Sequence, residues 1–252
     1  MRVRMLGKNA AKEDAMAEHS EQERIVRVYR EWNDGKPLPH YGRQRPEVLQ
    51  QTAARARTFA ALFHRTVGRD MAALRVLDVG CGSGNFLRQL IDWGASPGNL
   101  TGTELLAERL QSARRNTASG VQWHLGGLEA IAEGSIDLAT AHTVFSSILD
   151  DARRRALAAD MWRTLRPGGW CMVFDFRYNN PRNRNVRKVT HHELHGWWPA
   201  RQRHYRSLLL APPLARLLAP LPYLVSETLA AIAPPLRSHF VFMARKGEAS
   251  PP

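Results

Sequence analysis

A chain of 252 residues with 44% apolar side chains can bury a substantial core, which excludes a disordered polymer. Its two cysteines, Cys81 and Cys171, exclude a disulfide framework and point to a reducing compartment. The formal charge of +13 points to anionic partners, yet the excess is almost all arginine, with no lysine-rich run or aromatic-interleaved basic tail.

Residues 1–22 read as a charged, disordered tail without the apolar core of a signal peptide, so a cytoplasmic location is expected. Residues 23–70 read as an N-terminal helical lid region. It holds a short helix from Glu23 to about Trp32 and a Gly/Pro-rich loop, NDGKPLPHYGRQRP. A second helix over Glu47–Arg65 carries an apolar stripe of Val48, Ala56, Phe59, Leu62 and Phe63.

A regular alternation follows. LRVLDVG (74–80) is a strand and Asn85–Trp93 a helix; NLTGTE (99–104) is a strand and Ala107–Asn116 a helix. VQWHL (121–125) and SIDLATA (135–141) are strands, Asp151–Leu165 is a helix, and WCMVFDF (170–176) is a fifth strand. Apolar strands alternating with helices predict a parallel, doubly wound α/β sheet. Beyond Phe176 come a polar loop, a helix near Thr190–Trp198, a strand near Arg203–Leu210, a Pro-bounded helical stretch to about Ile232 and a last strand over 239–246. The apolar run 207–236 contains Arg216, Glu227 and six prolines, which excludes a transmembrane span. Core packing is expected for it, with a peripheral membrane-touching face as the alternative.

VLDVGCGSGNF (76–86) is the most informative segment. Three glycines within five residues let the backbone turn sharply between strand and helix and approach a ligand with no Cβ in the way. The helix start behind them presents oriented N–H groups, beyond the carboxyl end of a strand where open α/β sheets bind ligands. A dinucleotide fingerprint would need a third-repeat glycine at Asn85. Asp78 suits a cationic amino group and not a pyrophosphate, and Glu104, ending the second strand, suits a ribose diol.

With LTGTELL (100–106) and LRPGGW (165–170) in order, the chain resembles the class I S-adenosylmethionine-dependent methyltransferases from Tyr41 to Lys246. The resemblance implies an α/β, Rossmann-like, doubly wound, seven-stranded, mostly parallel sheet with helices on both faces. An N-terminal helical lid and a helical insertion before the last strand complete it. Residues 71–252 would form the S-adenosylmethionine-binding domain, with an acceptor-side insertion at about 176–236. It further implies cofactor contacts from Asp78, Gly80, Cys81, Gly82, Gly84, Phe86, Glu104, Leu105 and His142. Tyr41 and Arg43 of HYGRQRP would reach the cofactor's carboxylate end. The family often carries an acid after the third strand; HLGGLEAI (124–131) has Gly126–Gly127 there, leaving Gly127, Leu128 or Glu129 to meet the adenine. HYGRQRP, TVFSSILDD and DFRYNNPRN are also similar to a bacterial group of small, small-molecule-type methyltransferases.

Acceptor chemistry belongs at the ends of the fourth and fifth strands. His142 has the proton affinity a general base needs, or is a hydrogen-bonding strand-end histidine. Ser146 is placed to contact an acceptor or to cap a helix, and Asp150 caps the next helix. FDFRYNNPRNRNVRK (174–188) leaves the fifth strand for a cationic, asparagine-rich loop. From Phe176 to Arg206 eight Lys/Arg face a lone Glu193. The catalytic candidates are thus His142, Asp175 and Tyr178, and Asn179, Asn180 and Arg182 are acceptor contacts, with an asparagine-stabilised surface turn as the alternative. His191, His192 and His195 lack metal-site order, so no metal is expected. The expected function is methyl transfer, to oxygen, on a small or medium-sized phosphate- or carboxylate-bearing acceptor: a saccharide, nucleotide sugar or natural-product acid. An RNA methyltransferase, suggested by the charge, is the alternative; HTVF stands where base-modifying relatives carry an N/D-P-P-Y/F tetrapeptide.

Overall fold

The computed structural model describes residues 20–31, 44–68 and 70–248. Its strands are β1 (Val76–Val79), β2 (Leu100–Glu104), β3 (Gln122–Leu125), β4 (Ile136–His142), β5 (Leu165–Phe176), β6 (Arg203–Leu210) and β7 (Arg237–Arg245). Its helices are α1 (20–31), α2 (Pro46–Thr66), α3 (Asn85–Asp92), α4 (Ala107–Asn116), α5 (Asp151–Thr164), α6 (His191–Trp197), α7 (Pro212–Leu218) and α8 (Tyr223–Ile232). The strands form one sheet in the order β3-β2-β1-β4-β5-β7-β6. β1 to β5 pair in parallel, and β7 runs antiparallel between β5 and β6. The expected α/β architecture is therefore present.

Strand parity sorts the core into two layers. Val76, Leu138, Met172, Phe174, Val241 and Met243 share one face with Phe59 and Phe63 of α2 and Phe86, Leu87 and Leu90 of α3. Leu77, Ala139, Ala141, Cys171, Val173, Phe240 and Phe242 take the other face with Ala158 and Met161 of α5 and Leu194 of α6. Both faces of β1 and β4 are covered, which is why their sequences are nearly continuous apolar runs.

Several boundaries differ from the sequence reading for physical reasons. Residues 20–22, expected in the tail, already belong to α1; the rest of that tail lies outside the described residues. β5 starts at Leu165 and not at Trp170, because the RPGG segment joins β4 through a register shift between Ile136 and Leu138. The stretch before β7 is two helices, α7 and α8, with Pro222 at the N-cap of the second. Core packing was expected there, but Leu217, Leu221, Leu224 and Ile232 face outward, with Ile232 75% exposed. Among the described residues, no helix is long and apolar enough to cross a membrane. Trp197 and Trp198 pack as a corner: the Trp197 ring stacks on Phe145, and Trp198, fully buried, donates its indole N–H to the Ala158 carbonyl at 2.8 Å.

One buried cation was not anticipated. Arg154 on α5 is fully buried, yet it ion-pairs with Glu193 at 2.9 Å and donates to the carbonyls of Ile148, Arg187 and Lys188. A guanidinium can be buried only when its donors are answered this fully. Arg154 thereby ties the segment after β4 to the end of the loop after β5, which fixes the frame of the site.

Candidate functional site

A cleft of roughly 2220 Å³ opens over the carboxyl ends of β1, β2, β4 and β5. Ordinary ligand sites measure about 300–1,000 Å³, so this one can hold two ligands side by side. Its floor is the bend after β1. Gly80 has φ +63°, and a Cβ there would lie 2.8 Å from Val144 Cγ2. Gly82 has φ +55°, and its Cβ position is open, so the bare backbone itself faces the cleft. Gly84, φ +77°, instead closes the packing against Thr117, Trp123 and Ala113 and does not line the cleft.

Two carboxylates flank this bend. Glu104 accepts the N–H of Gly82 at 2.9 Å, of Leu105 at 2.8 Å and of Leu106 at 3.0 Å, so one side chain fixes both the bend and the start of α4. Asp78 is 2% exposed and accepts a hydrogen bond from Thr140 Oγ1 at 2.8 Å. Burial pushes the Asp78 carboxyl up to about 7, with the nearby Glu104 charge adding to the rise and the Thr140 bond opposing it. A group with so high a proton affinity on a cleft wall is poised to meet a cation. Burial likewise pushes the Cys81 thiol up, which leaves it an apolar wall element.

At the exit of β4, His142 sits among the rings of Phe59, Phe86 and Phe174, with Phe86 only 4.1 Å away between centroids. Burial, and then the charge of Arg55, lower its pKa to about 3. The imidazole is therefore neutral near pH 7, and its Nε2 has no hydrogen-bond partner. Thr143, next in the chain, adopts a left-handed φ of +54° while donating its N–H to the Phe174 carbonyl at 2.7 Å. Such strain in a residue with a Cβ costs on the order of 1–2 kcal/mol and holds the turn into the cleft wall.

The loop after β5 borders the same cleft with Tyr178, Asn179, Asn180 and Arg182. Its asparagines also hold the loop itself: Asn179 Oδ1 accepts the Lys188 N–H, Asn180 Oδ1 the Arg182 N–H, and Asn183 Oδ1 the Asn185 N–H. Tyr178 donates its hydroxyl to the Pro235 carbonyl at 3.0 Å. The loop is thus an asparagine-stabilised turn that also borders the cleft.

Residues 76–169 match a family model described as a methyltransferase domain. That stretch spans the glycine bend, both carboxylates and the β4 exit. Over those residues the chain is similar to methyltransferase domains. The methyltransferase fold recurs in an S-adenosylmethionine-dependent methyltransferase from Mesorhizobium loti, at 20% identity over 78% of this chain and all of that one, TM-score 0.53. It recurs also in a possible histamine N-methyltransferase from Thermotoga maritima, at 17% identity over 89% of this chain and 97% of that one, TM-score 0.55. These likenesses establish the fold. An uncharacterized 37.1 kDa protein of transposon TN4556 from Streptomyces fradiae is 32% identical over 132 residues, 49% of this chain but only 37% of that relative's length.

Within the cleft, Asp78, Gly80, Cys81, Gly82, Phe86, Glu104, Leu105, Gly127, Leu128 and His142 come together as lining residues. The Glu129 carboxylate folds back against Gly127, where a Cβ would lie 2.6 Å from its Oε1. Tyr41 and Arg43 lie outside the described residues. Asp175 and Ser146 turn away from the cleft. Strand parity sends Asp175 to the α5 side, where it is fully buried and accepts the N–H groups of Ser146 at 3.0 Å and Phe176 at 2.8 Å. Asp150 caps α5 by accepting the Arg153 N–H. His191 and His195 stack at 3.9 Å, and among the described residues no group of three metal-ligating side chains assembles.

The short helix expected from Glu23 to about Trp32 is α1, and it borders the cleft through contacts its sequence did not specify. Tyr29 of α1 shares a 2.7 Å hydrogen bond with Ser147 Oγ, and the Arg24 guanidinium donates to the Ser147 carbonyl. The Leu149 N–H donates to Glu21 at 2.7 Å, and Arg109 of α4 lies over the Tyr29 ring at 4.4 Å. The helix itself was legible, but not its bridging of β4 to α4, since its polar face is what grips the neighbours.

Proposed function

We propose that this chain transfers the methyl group of S-adenosylmethionine to an oxygen of a small or medium-sized anionic acceptor of saccharide, nucleotide-sugar or natural-product type. The observation that carries the reading is the pair of carboxylates, Asp78 and Glu104, on either side of an open glycine backbone. Asp78 would hold the cofactor's ammonium, Glu104 its ribose hydroxyls, and Gly82 would let the methionine portion lie against the main chain. Gly127, Leu128 and Glu129 would border the adenine. Bound S-adenosylmethionine supplies an electrophilic methyl on a sulfonium.

The residues at the ends of β4 and β5 then position the acceptor. In-line displacement rewards holding nucleophile and methyl close and aligned, and the ring-lined pocket at His142 supports that role. A histidine with a pKa of about 3 is a weak general base near neutral pH. An acceptor oxygen that already carries negative charge needs no proton removed, so an anionic acceptor suits the pocket. We read α1 and α2 as a lid that excludes water from this reaction.

The test is methyl transfer from isotopically labelled S-adenosylmethionine into a cell extract split into small-molecule and RNA fractions. Label should enter the small-molecule fraction, with a rate that changes by less than about threefold as salt rises from roughly 50 to 200 mM, since few phosphate contacts are involved. Label in the RNA fraction, falling steeply with salt, would replace the acceptor assignment with the RNA alternative.

A further inference from the structure

Arg55, on α2, lines the cleft, and among the described residues it makes no hydrogen bond or ion pair. Its Nε is buried with no partner. The contrast with its neighbours is instructive. Arg57, two residues along the same helix, pairs with Glu227, and buried Arg154 has an acid and three carbonyls. Arg55 has only the Phe174 ring beneath its guanidinium at 5.7 Å.

Among the described residues no acid pairs with it. His142 and His239 are the titratable groups that feel it, and burial and then the Arg55 charge hold them down to about 3 and about 4. Both are neutral near pH 7. His239 lies flat on Phe174 at 5.1 Å and is engaged with Ser238 Oγ at 2.8 Å. A guanidinium does not escape this by losing its proton. A desolvated cation without a counterion is costly, and a protein keeps one where a ligand completes the pair. Position says which ligand. The glycine bend and Glu104 lie over β1 and β2, whereas Arg55 stands over the ends of β5 and β7, in the half of the cleft left for the acceptor.

We infer that Arg55 is the anchor for a carboxylate on the acceptor, and that the rings around it receive the apolar body carrying that carboxylate. A planar guanidinium fork matches a planar carboxylate two bonds at a time, and the rings of Phe86, His142 and Phe176, which line the same cleft, suit a flat, apolar group. The inference rests on the reading of the cleft as cofactor plus acceptor and adds the acceptor's recognition element.

The experiment titrates phenylacetate, phenylacetamide and phenyl phosphate into the protein with and without saturating S-adenosylhomocysteine. Phenylacetate should bind the loaded protein roughly tenfold tighter than the uncharged amide. Arg55→Ala should lose about tenfold or more of that affinity, and Arg55→Lys, which keeps charge but not the fork, should recover part of it. S-Adenosylhomocysteine affinity should stay within about twofold in both variants, and Arg57→Ala should resemble the wild type. Arg55→Ala should melt no lower than the wild type, because it removes an unanswered cation. The anchor is overturned if Arg55→Ala binds phenylacetate like the wild type, if the amide binds as well as the acid, or if the variant loses S-adenosylhomocysteine instead. Tighter binding of phenyl phosphate overturns the carboxylate class. Discrimination by Arg55 in a protein that never binds S-adenosylhomocysteine would keep the anion site and remove the methyltransferase reading.

Discussion

Asp78→Asn should make the ligand-free protein more stable at about pH 8 while weakening S-adenosylhomocysteine binding about a hundredfold. The folded Asp78 carboxyl titrates at about 7 against an ordinary 3.8, because burial penalises its charge. The sign follows from proton counting. Between these two values the unfolded chain is ionised and the folded protein keeps its proton, so the folded state binds more protons and loses stability as pH rises. The contribution is fully present below about pH 4 and gone above about pH 7. Asparagine retains an acceptor for Thr140 Oγ1 but carries no charge to desolvate. Its advantage should therefore grow as pH rises from about 4 to about 7 and be full above that, as several degrees in melting temperature, at about 2–4 °C per kcal/mol for a chain of this size. A variant that melts below the wild type at every pH would mean that Asp78 is a structural carboxylate.

Glu104→Ala should also lose the ligand, by about a hundredfold, but with stability moving the other way. Glu104 accepts three backbone N–H groups, from Gly82, Leu105 and Leu106. Leaving such donors unmet costs on the order of 1–3 kcal/mol each before water re-enters, so a net loss of about 2–4 kcal/mol and a drop of about 5–10 °C are expected. Removing the Glu104 charge also eases ionisation of Asp78, which offsets a small part of this loss. Thermal melts and calorimetric titrations of the two variants, run together, check the contrast. Matching stability changes in both would refute the division of labour between a strained carboxylate and a capping one.

The sheet was legible because its central strands are buried on both faces, which writes continuous apolar runs that end in turn residues. β1, with its fully buried Val-Leu-Asp-Val, and the bend after it are the clearest case. The site was legible only where one short segment builds it. Asp175 was misassigned because sequence shows that it ends β5 but not which way parity turns it; Phe174 and Phe176 take the cleft side, and Asp175 meets Ser146 behind the wall. The helices of the insertion hid their exposed leucines, since α7 and α8 are too short to show a periodic stripe. Arg55 was invisible for a different reason. It looks like any polar position of an amphipathic helix until Phe174 and His239 are placed beside it.

An ammonium-bearing nucleoside ligand should settle on Asp78, Glu104 and the bare backbone of Gly82. Titrating wild-type protein with S-adenosylhomocysteine by calorimetry, at about pH 8 and about pH 6 in buffers of different ionisation enthalpy, measures this directly. One site should fill, with affinity falling by up to about tenfold at the lower pH as binding strips the proton from Asp78. Absence of heat at both pH values, or binding that ignores pH and releases no proton, would contradict it.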